Sequence, residues 1–307
     1  MAKTRALRRR IRSVESISQI TRTMEMVSTS KLKRAQDRVV GARPYAAALA
    51  EVLGDLLDPD LAERFPLLRQ PRPPERGGPR RAALLLVTSN RGLAGAFNAN
   101  LIRAARERLA ALEARGFAVD LLVVGKKGVN YFRFVRRPMT VTRVDIGDKP
   151  TAEHAAELAT PLIASFEAGE LAGFDVVFAQ FKSALSTPPV VQRVLPIQGQ
   201  VPVARTAGEP AAPPRPRGGQ AANFILRPGA DEILAALLPL YVRNQVYRAM
   251  VETAASEHGA RRTAMKNATD NAGEMLDLLR RTYNRARQGQ ITQELAEIVG
   301  GAEALKG

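Results

Sequence analysis

The strongest constraint on this chain is a helical spacing of apolar residues in the segments at its two ends. In the first segment, apolar residues recur at steps of three and four, which keeps them on one helix face. They are Leu7, Ile11, Val14, Ile17, Ile20, Met24 and Val27. The same spacing returns over residues 230–287, where Pro239 interrupts it. The apolar residues recur every ~3.5 residues on average, and this heptad spacing predicts that the two helices wind into a left-handed coiled coil.

The lengths of these segments determine how the helices can pair. A rise of about 1.5 Å per residue makes the first helix roughly 80 Å long and the second about 90 Å. No small domain covers helices of that length. Because the same middle region connects both helices, pairing of their free ends requires an antiparallel arrangement. We therefore predict an N-terminal coiled-coil helix over residues 1–57 and a C-terminal one over residues 229–307.

The middle of the chain has the pattern of a compact α/β domain. Proline-rich stretches at residues 66–79 and 204–222 are predicted to be loops, the second of them flexible. Between them, short apolar runs of the buried-strand type alternate with helical patterns, which favours a parallel sheet. The predicted strands are 82–88 and 119–125, followed by an edge pair at 175–182 and 190–196. The predicted helices are 96–115, 126–134 and 151–167, the last with Thr151 as its N-cap. The sequence therefore predicts a Rossmann-like α/β domain over residues 80–203.

Several kinds of catalytic site are disfavoured by the residues present. The turn after the first predicted strand, residues 88–98, has glycines spaced GxxG, and the chain contains no Walker GxxxxGK[ST] motif. The second strand ends on Gly125, Lys126 and Lys127 instead of an acidic ribose-binding residue, so we interpret the turn as structural. The chain has no cysteine, and its two histidines lack a metal-binding spacing. We expect no cofactor, no metal and no catalytic residue.

Positive charge is concentrated in the first helix. The net charge is +16, and residues 1–43 hold twelve Lys or Arg against three acidic residues, a net of +9. From residue 229 to the end, ten basic and ten acidic residues cancel. Such asymmetry is typical of a surface that faces nucleic acid, anionic lipid or an acidic protein, although a solvated helix face has the same composition. No apolar run reaches the ~20 residues of a transmembrane helix.

Separated motifs, in order along the chain, resemble the gamma-subunit family of F-type ATP synthases. Near the N-terminus, residues 18–32 read SQITRTMEMVSTSKL, and residues 91–95 read RGLAG. In the C-terminal segment, residues 238–242 read LPLYV, 256–258 read SEH and 265–272 read MKNATDNA. Residues 286–302 read ARQGQITQELAEIVGGA. The resemblance extends over both ends and the first turn of the predicted sheet.

The resemblance implies a mechanical function. Members of this family form the central rotor stalk, whose coiled coil lies inside a head of alpha and beta subunits. The α/β domain rests on the c-ring and contacts the epsilon subunit. Rotation of the proton-driven ring would pass through this chain to the catalytic sites, and in reverse during ATP hydrolysis. The resemblance places the complex at the cytoplasmic face of a bacterial plasma membrane, with no membrane span in this chain.

The resemblance also implies two groups of contacts with the head. The first group is Arg22, Met24, Lys31 and Lys33. The second group is Arg287, Gln288, Thr292 and Glu294. The chain departs from the family pattern at Thr23, Asn90 and Ala94, and its 204–222 loop is enlarged. A nucleic-acid-binding coiled coil and a Rossmann-type enzyme are the alternatives, but the sequence has neither an aromatic stacking platform nor a phosphate loop.

Overall fold

A computed structural model describes residues 2–56, 64–69, 80–197 and 230–304 of this chain. They divide into two compact units. The helical unit comprises Met1–Thr29 with Arg261–Gly307, and the domain unit comprises Ser30–Ala260. The predicted boundary residues at 57, 198–203 and 229, like the 204–222 loop, lie outside the described residues, so these limits stay predictions.

The described residues form helices and strands in the following order along the chain. They are α1 Ala2–Leu56, β1 Arg80–Val87, α2 Phe97–Ala114, β2 Phe117–Val124, α3 Lys126–Phe134, β3 Val141–Arg143, α4 Ala152–Glu167, β4 Leu171–Ala179, β5 Pro189–Leu195 and α5 Ala230–Ala304. Pro44 lies inside α1 and Pro239 inside α5, and both helices continue past a residue that cannot donate a backbone hydrogen bond.

The five strands form one mixed sheet in the order β3-β2-β1-β4-β5. β1 pairs in parallel with β2 and β4, and β2 with β3. The edge strand β5 is antiparallel to β4. This arrangement confirms the predicted Rossmann-like sheet with a strand pair at one edge. The sequence analysis missed β3, whose three residues are too few to establish an alternating pattern.

Each face of the sheet has its own apolar core, which explains why the central strands are apolar almost throughout. One core includes Phe166 of α4 and Leu234 and Met250 of α5. The other contains Leu101 of α2 and Phe132 of α3. Thr151 caps α4 as predicted, because its Oγ1 accepts a hydrogen bond from the backbone N–H of His154. The first part of α5 is therefore a component of the domain core.

In the helical unit, α1 and α5 pair in antiparallel fashion, as predicted. Their hydrogen bonds join residues whose numbers rise on one helix as they fall on the other. The pairs are Thr4 with Gln290, Arg8 with Tyr283, Glu15 with Arg280 and Thr21 with Thr269. The Thr21 and Thr269 hydroxyls approach to 2.7 Å. In the domain unit, Leu32, Ala35 and Val39 of α1 pack with Val251 and Ala255 of α5.

The seam of α1, meaning the face that packs on α5, was predicted to follow the apolar stripe. Beyond Val14 it does not. Ile17 and Ile20 are 52% and 56% exposed, and Val27 is also exposed, so the prediction that they lie in the seam was wrong. Buried Thr21 and Ser28 take the seam positions instead. The heptad register set by Leu7, Ile11 and Val14 continues through these polar residues, whereas the apolar stripe follows a neighbouring face.

The first prediction compares two adjacent residues of α1 under the same substitution. Thr21 is 8% exposed and Ile20 is 56% exposed. Thr21→Asp places a buried carboxylate beside the Ser18 carbonyl oxygen and the Thr269 hydroxyl and should lower the free energy of unfolding by about 3 kcal/mol. Ile20→Asp should change it by less than about 0.5 kcal/mol, the usual range for a surface site. Urea unfolding of the full chain, followed by circular dichroism, measures both; equal effects would contradict this seam.

Candidate contact surface

The first group of candidate contact residues is divided between the two units. Arg22 and Met24 belong to the helical unit, where Arg22 is exposed and Met24 is half-buried. Lys31 and Lys33 belong to the domain unit. Lys33 is exposed, but Lys31 is half-buried and forms an ion pair with Asp148. Of these four residues, Arg22 and Lys33 present the most accessible charge.

The second group lies on α5, on residues that are all exposed. Its hydrogen bonds are local to the helix. Thr292 Oγ1 donates to the Gln288 carbonyl oxygen at 3.0 Å. Gln290 Nε2 donates to Glu294 Oε1 at 2.8 Å, while Gln290 Oε1 accepts from Thr4 of α1 at 3.2 Å. The exposed side chains of Arg287 and its neighbours are therefore available to a partner.

The structure does not bring the two groups of the helical unit together. The pairing register places Arg22 opposite the level of Thr269 and Arg287 opposite the start of α1. About 18 residues of α5 separate these levels, or roughly 27 Å at about 1.5 Å per residue. Arg22 and Arg287 therefore lie at separate levels of the helical unit.

Sequence reasoning missed an apolar outer face in the helical unit. Ile17, Ile20 and Val27 of α1 are exposed, as are Met275 and Leu278 of α5. By the pairing register, Met275 and Leu278 lie at about the same level as Ile17. The signal was visible as the three-and-four stripe, but it was assigned to the seam. An apolar face of this kind on a coiled coil is typical of a surface that a partner covers.

The last part of α5 has no helix packed on it among the described residues. All residues from 291 to 301 are exposed, since α1 begins at the level of Gln290. Four of these exposed residues are large and apolar, and they share one side of the helix by their spacing. They are Ile291, Leu295, Ile298 and Val299. This stripe is a second apolar surface, and no described residue outside α5 packs on it.

Lys31 is held by an electrostatic cluster inside the domain unit. Its Nζ donates to Asp148 Oδ2 at 2.6 Å, and Arg38 Nη1 donates to the Asp148 carbonyl oxygen at 3.2 Å. His258 Nε2 of α5 lies 3.5 Å from the same carboxylate. Burial opposes ionisation of Asp148, but the hydrogen bond and charge of Lys31 outweigh it and lower the pKa of the carboxyl. Asp148 thus connects α1, α5 and the segment between β3 and α4.

The segment that carries Asp148 is itself fixed by ion pairs. Arg143 donates to Asp145 through Nε at 2.8 Å and to Glu157 of α4 through Nη1 at 2.6 Å. The hydrogen bonds from Arg143 lower the pKa of Asp145 to about 2. The segment is therefore attached at both β3 and α4.

The turn over residues 88–98 uses its polar groups to join β1 to the start of α3. Thr88 Oγ1 accepts from the Gly128 N–H at 3.0 Å, and Asn90 Oδ1 accepts from the Lys126 N–H at 2.8 Å. Asn90 Nδ2 also donates to the carbonyl oxygens of Val144 and Ile146. Gly125 has a φ of +99°, and a Cβ there would lie 2.1 Å from the Thr88 oxygen. The first N–H groups of α3 thus donate to side chains of this turn and fix it against α3.

The second prediction concerns the pH dependence of the Asp148 cluster. Its lowered pKa means that the carboxylate stabilises the fold above the usual aspartate pKa of about 3.9, and that this contribution is lost as pH falls through the folded-state pKa. Asp148→Asn should lower the urea midpoint at neutral pH, and the difference from wild type should disappear in acid. The exposed Asp37→Asn variant is the control, expected within about 0.5 kcal/mol of wild type. A difference that persists unchanged in acid would contradict this assignment.

The described residues contain neither a membrane-spanning helix nor a metal-binding cluster. No helix of the described part is long and apolar enough to cross a membrane. Within the same residues, no group of three or more His, Cys, Asp or Glu side chains is placed to hold a metal ion. The candidate surface is therefore described by exposed apolar and charged side chains on helices.

The folded chain resembles solved rotor structures. It aligns with the rotor of Euglena gracilis mitochondrial ATP synthase, rotational state 1, with a TM-score of 0.62 and 18% identity, over 94% of this chain and 99% of that one. A second structure of the Euglena gracilis enzyme, which includes the c-ring in rotational state 3, aligns with a TM-score of 0.65 and 18% identity, over 99% of this chain and 95% of that one. At these identities the likeness supports the fold.

Proteins of similar sequence also match this chain over nearly its whole length. The family model described as ATP synthase matches residues 3–305. The chain is 57% identical to the ATP synthase gamma chain of Gemmatimonas aurantiaca over 309 aligned positions, which cover 100% of both chains. It is 44% identical to the ATP synthase gamma chain of Moorella thermoacetica, again over 100% of both. The chain therefore belongs to the ATP synthase gamma chain family.

Proposed function

We propose that this chain is the central rotor stalk of an F-type ATP synthase. The coiled coil turns inside a head of alpha and beta subunits and carries the rotation of a proton-driven c-ring to the catalytic sites. During ATP hydrolysis the torque passes in the opposite direction. Family membership over residues 3–305 and the rotor structures that share its fold support this assignment.

The exposed apolar residues of the helical unit are the observation that best supports this proposal. The helical unit has exposed apolar residues on its paired part, and α5 continues as a single helix with the stripe of Ile291, Leu295, Ile298 and Val299. A monomeric helix would not keep such a stripe in water without a partner. A surrounding apolar sleeve, through which a narrow helix can turn, accounts for it.

The chain itself is a non-catalytic subunit. A single asymmetric shaft within a threefold head contacts three equivalent subunits differently. Each of these contacts stabilises a different conformation, and such differential contact is what shifts the population of nucleotide-binding states. Catalysis then requires only that the shaft present different surfaces in turn.

The two candidate groups, together with the apolar outer face, form the contacts with the head. The first contact region is the segment of α1 that carries Arg22 and Met24 in the helical unit and Lys33 in the domain unit. Lys31 contributes mainly to the fold, since its ammonium group is paired with Asp148. Exposed ion pairs contribute only about 0–1 kcal/mol each. Shape and apolar contact are therefore the main elements of torque transfer, and charge adjusts its rate.

The other partners are the c-ring and the epsilon subunit, which the α/β domain contacts. The chain works as a peripheral subunit at the cytoplasmic face of a bacterial plasma membrane. Bacterial gamma chains of 57% and 44% identity support this location. Reconstitution of a gamma-depleted complex with this chain tests the whole proposal, because ATP-driven rotation should return. A complex that binds the chain without rotating, or purification of the chain with nucleic acid alone, would overturn it.

The third prediction tests the unpaired stripe with a charge-matched pair of variants. Leu295 is 57% exposed on the apolar side, and Gln293 lies on the opposite side of the same helix. Leu295→Asp should leave the melting temperature of the isolated chain nearly unchanged but lower ATP-driven torque at least several-fold, because it places a charge in the apolar sleeve. Gln293→Asp should reduce torque far less. Similar torque for both variants would show that the stripe does not contact the apolar sleeve of the head.

The fourth prediction separates charge from shape in the first contact region. A double variant, Arg22→Gln with Lys33→Gln, should reduce ATP synthesis in reconstituted vesicles most at low salt, because the Debye length is about 10 Å at 0.1 M and longer below that. The effect should shrink as salt is raised. Arg103→Gln with Arg106→Gln removes the same charge from exposed positions of α2 and serves as the control. Complete uncoupling at every salt concentration, with assembly intact, would instead make these charges the main drive surface.

A further inference from the structure

The part of α5 that packs on the domain carries polar side chains where an apolar stripe would normally lie. They form a polar row, defined here as Gln245, Glu252, Thr253 and Ser256. Each is at most 5% exposed, and Ser256 is fully buried. Ser256 also belongs to the SEH motif of residues 256–258, to which the sequence analysis gave no role. Polar groups at such depth require partners, because an unpaired buried polar group is costly.

Three members of the polar row, Glu252, Thr253 and Ser256, bond backbone groups at and beyond the end of β4. The β1–β4 register ends with Leu86 opposite Val177, so Ala179 and Phe181 extend beyond the end of their β1 partner. The Ala179 N–H donates to Thr253 Oγ1 at 3.3 Å, and Ser256 Oγ donates to the Ala179 carbonyl oxygen at 3.2 Å. The Thr253 hydroxyl and the Ser256 hydroxyl thus replace the missing strand.

The other two members extend this bonding along the helix. Glu252 Oε2 accepts from the Phe181 N–H at 3.2 Å, while its Oε1 accepts from Arg248 at 2.8 Å. Gln245 Oε1 accepts from Gln192 Nε2 of β5 at 3.0 Å. The polar row therefore connects three turns of α5 to β4, to the residues after it and to β5.

The hydrogen bonds of the polar row restrain rotation of α5 about its own axis more tightly than apolar packing alone does. Burial of apolar area is non-directional, so a helix in an apolar groove resists removal more strongly than it resists rolling about its axis. Hydrogen bonds have narrow limits of distance and angle, and a roll of the helix would break several of them together. Valine or leucine at these positions would set the rotational position of α5 through packing alone, without the narrow limits of distance and angle of a hydrogen bond.

We propose that the polar row is the rotational lock by which the α/β domain transmits torque to α5. This inference rests on the proposed rotor function. Torque applied to the domain acts on α5 as a rolling moment, and the hydrogen bonds to Ala179, Phe181 and Gln192 resist that moment. The contact between His258 and Asp148, 3.5 Å apart, adds a second restraint at the end of the row.

The test compares variants that remove hydrogen bonds with one that removes apolar contact at the same interface. Thr253→Val with Ser256→Ala deletes both hydroxyl partners of Ala179 at nearly constant side-chain volume. Val246→Ala creates a small cavity in the fully buried core between α5 and the sheet, with no loss of hydrogen bonds. Thr253→Ser keeps the hydroxyl acceptor and is the conservative rescue. Each is assembled into the whole complex, and its melting temperature is recorded.

Two measurements then report on the lock. The first is the ratio of ATP-driven proton pumping to ATP hydrolysis in vesicles. The second is the torsional stiffness of the rotor, from the angular fluctuations of a probe on the α/β domain with the head immobilised. The hydroxyl-deletion variant should lose at least half of the pumping ratio and show at least twice the angular variance of wild type. Val246→Ala should melt earlier but keep wild-type values of both, as should Thr253→Ser.

The outcomes separate this inference from the rotor function itself. A wild-type complex that neither rotates nor pumps would contradict the rotor assignment. A wild-type complex that rotates, with variance and pumping ratio unchanged in the hydroxyl-deletion variant, would overturn the lock alone. If that double variant does not assemble, Ser256→Ala alone is measured in the same way, since it deletes one hydroxyl and leaves the Thr253 bond. Unchanged stiffness in that single variant would also overturn the proposal.

Discussion

The pairing of α1 with α5 is the constraint on which the rest of the structure depends. Each helix is longer than any globule in this chain could cover, so each needs the other along much of its length. In the domain unit, Leu32 and Val39 of α1 pack against Val251 of α5. In the helical unit, the register is set by polar pairs such as Thr21 with Thr269. The sheet binds the first part of α5 within the domain unit, and α1 with the last part of α5 forms the helical unit.

Polar residues at the helix interfaces specify register at the expense of stability. A fully apolar seam would pack with more burial, but neighbouring heptad registers would then compete with one another. The paired hydroxyls of Thr21 and Thr269 favour one alignment, because a shift leaves both without this partner. The polar row of α5 has the same effect at the sheet. A rotor requires such specificity more than it requires maximum stability, since helices that slip would lose torque.

The fold could be predicted from sequence wherever periodicity and length agreed. The alternation of apolar runs with helical patterns predicted the parallel sheet, and Thr151 predicted the start of α4. The seam of α1 could not be predicted beyond Val14, because Ile20 and Thr21 are neighbours and only the partner helix determines which one is buried. Periodicity identified an apolar stripe, but not whether it faces the seam or another protein. The polar row was invisible for a similar reason, since its role depends on where β1 ends.

The same helix meets two opposite mechanical requirements, and its side chains differ accordingly. Between Gln245 and His258, α5 makes directional contacts with strands and loops of the domain, and almost every side chain there is buried. From Ile291 to Gly301 every residue is exposed, and side-chain hydrogen bonds such as that from Gln293 to Glu297 run within the helix itself. Directional bonds resist rolling, whereas an apolar stripe slides in an apolar sleeve because its attraction is non-directional. Residues 245–258 of α5 are hydrogen-bonded to the domain, and residues 291–301 present an exposed apolar stripe. This difference suits a rotating shaft better than a static scaffold.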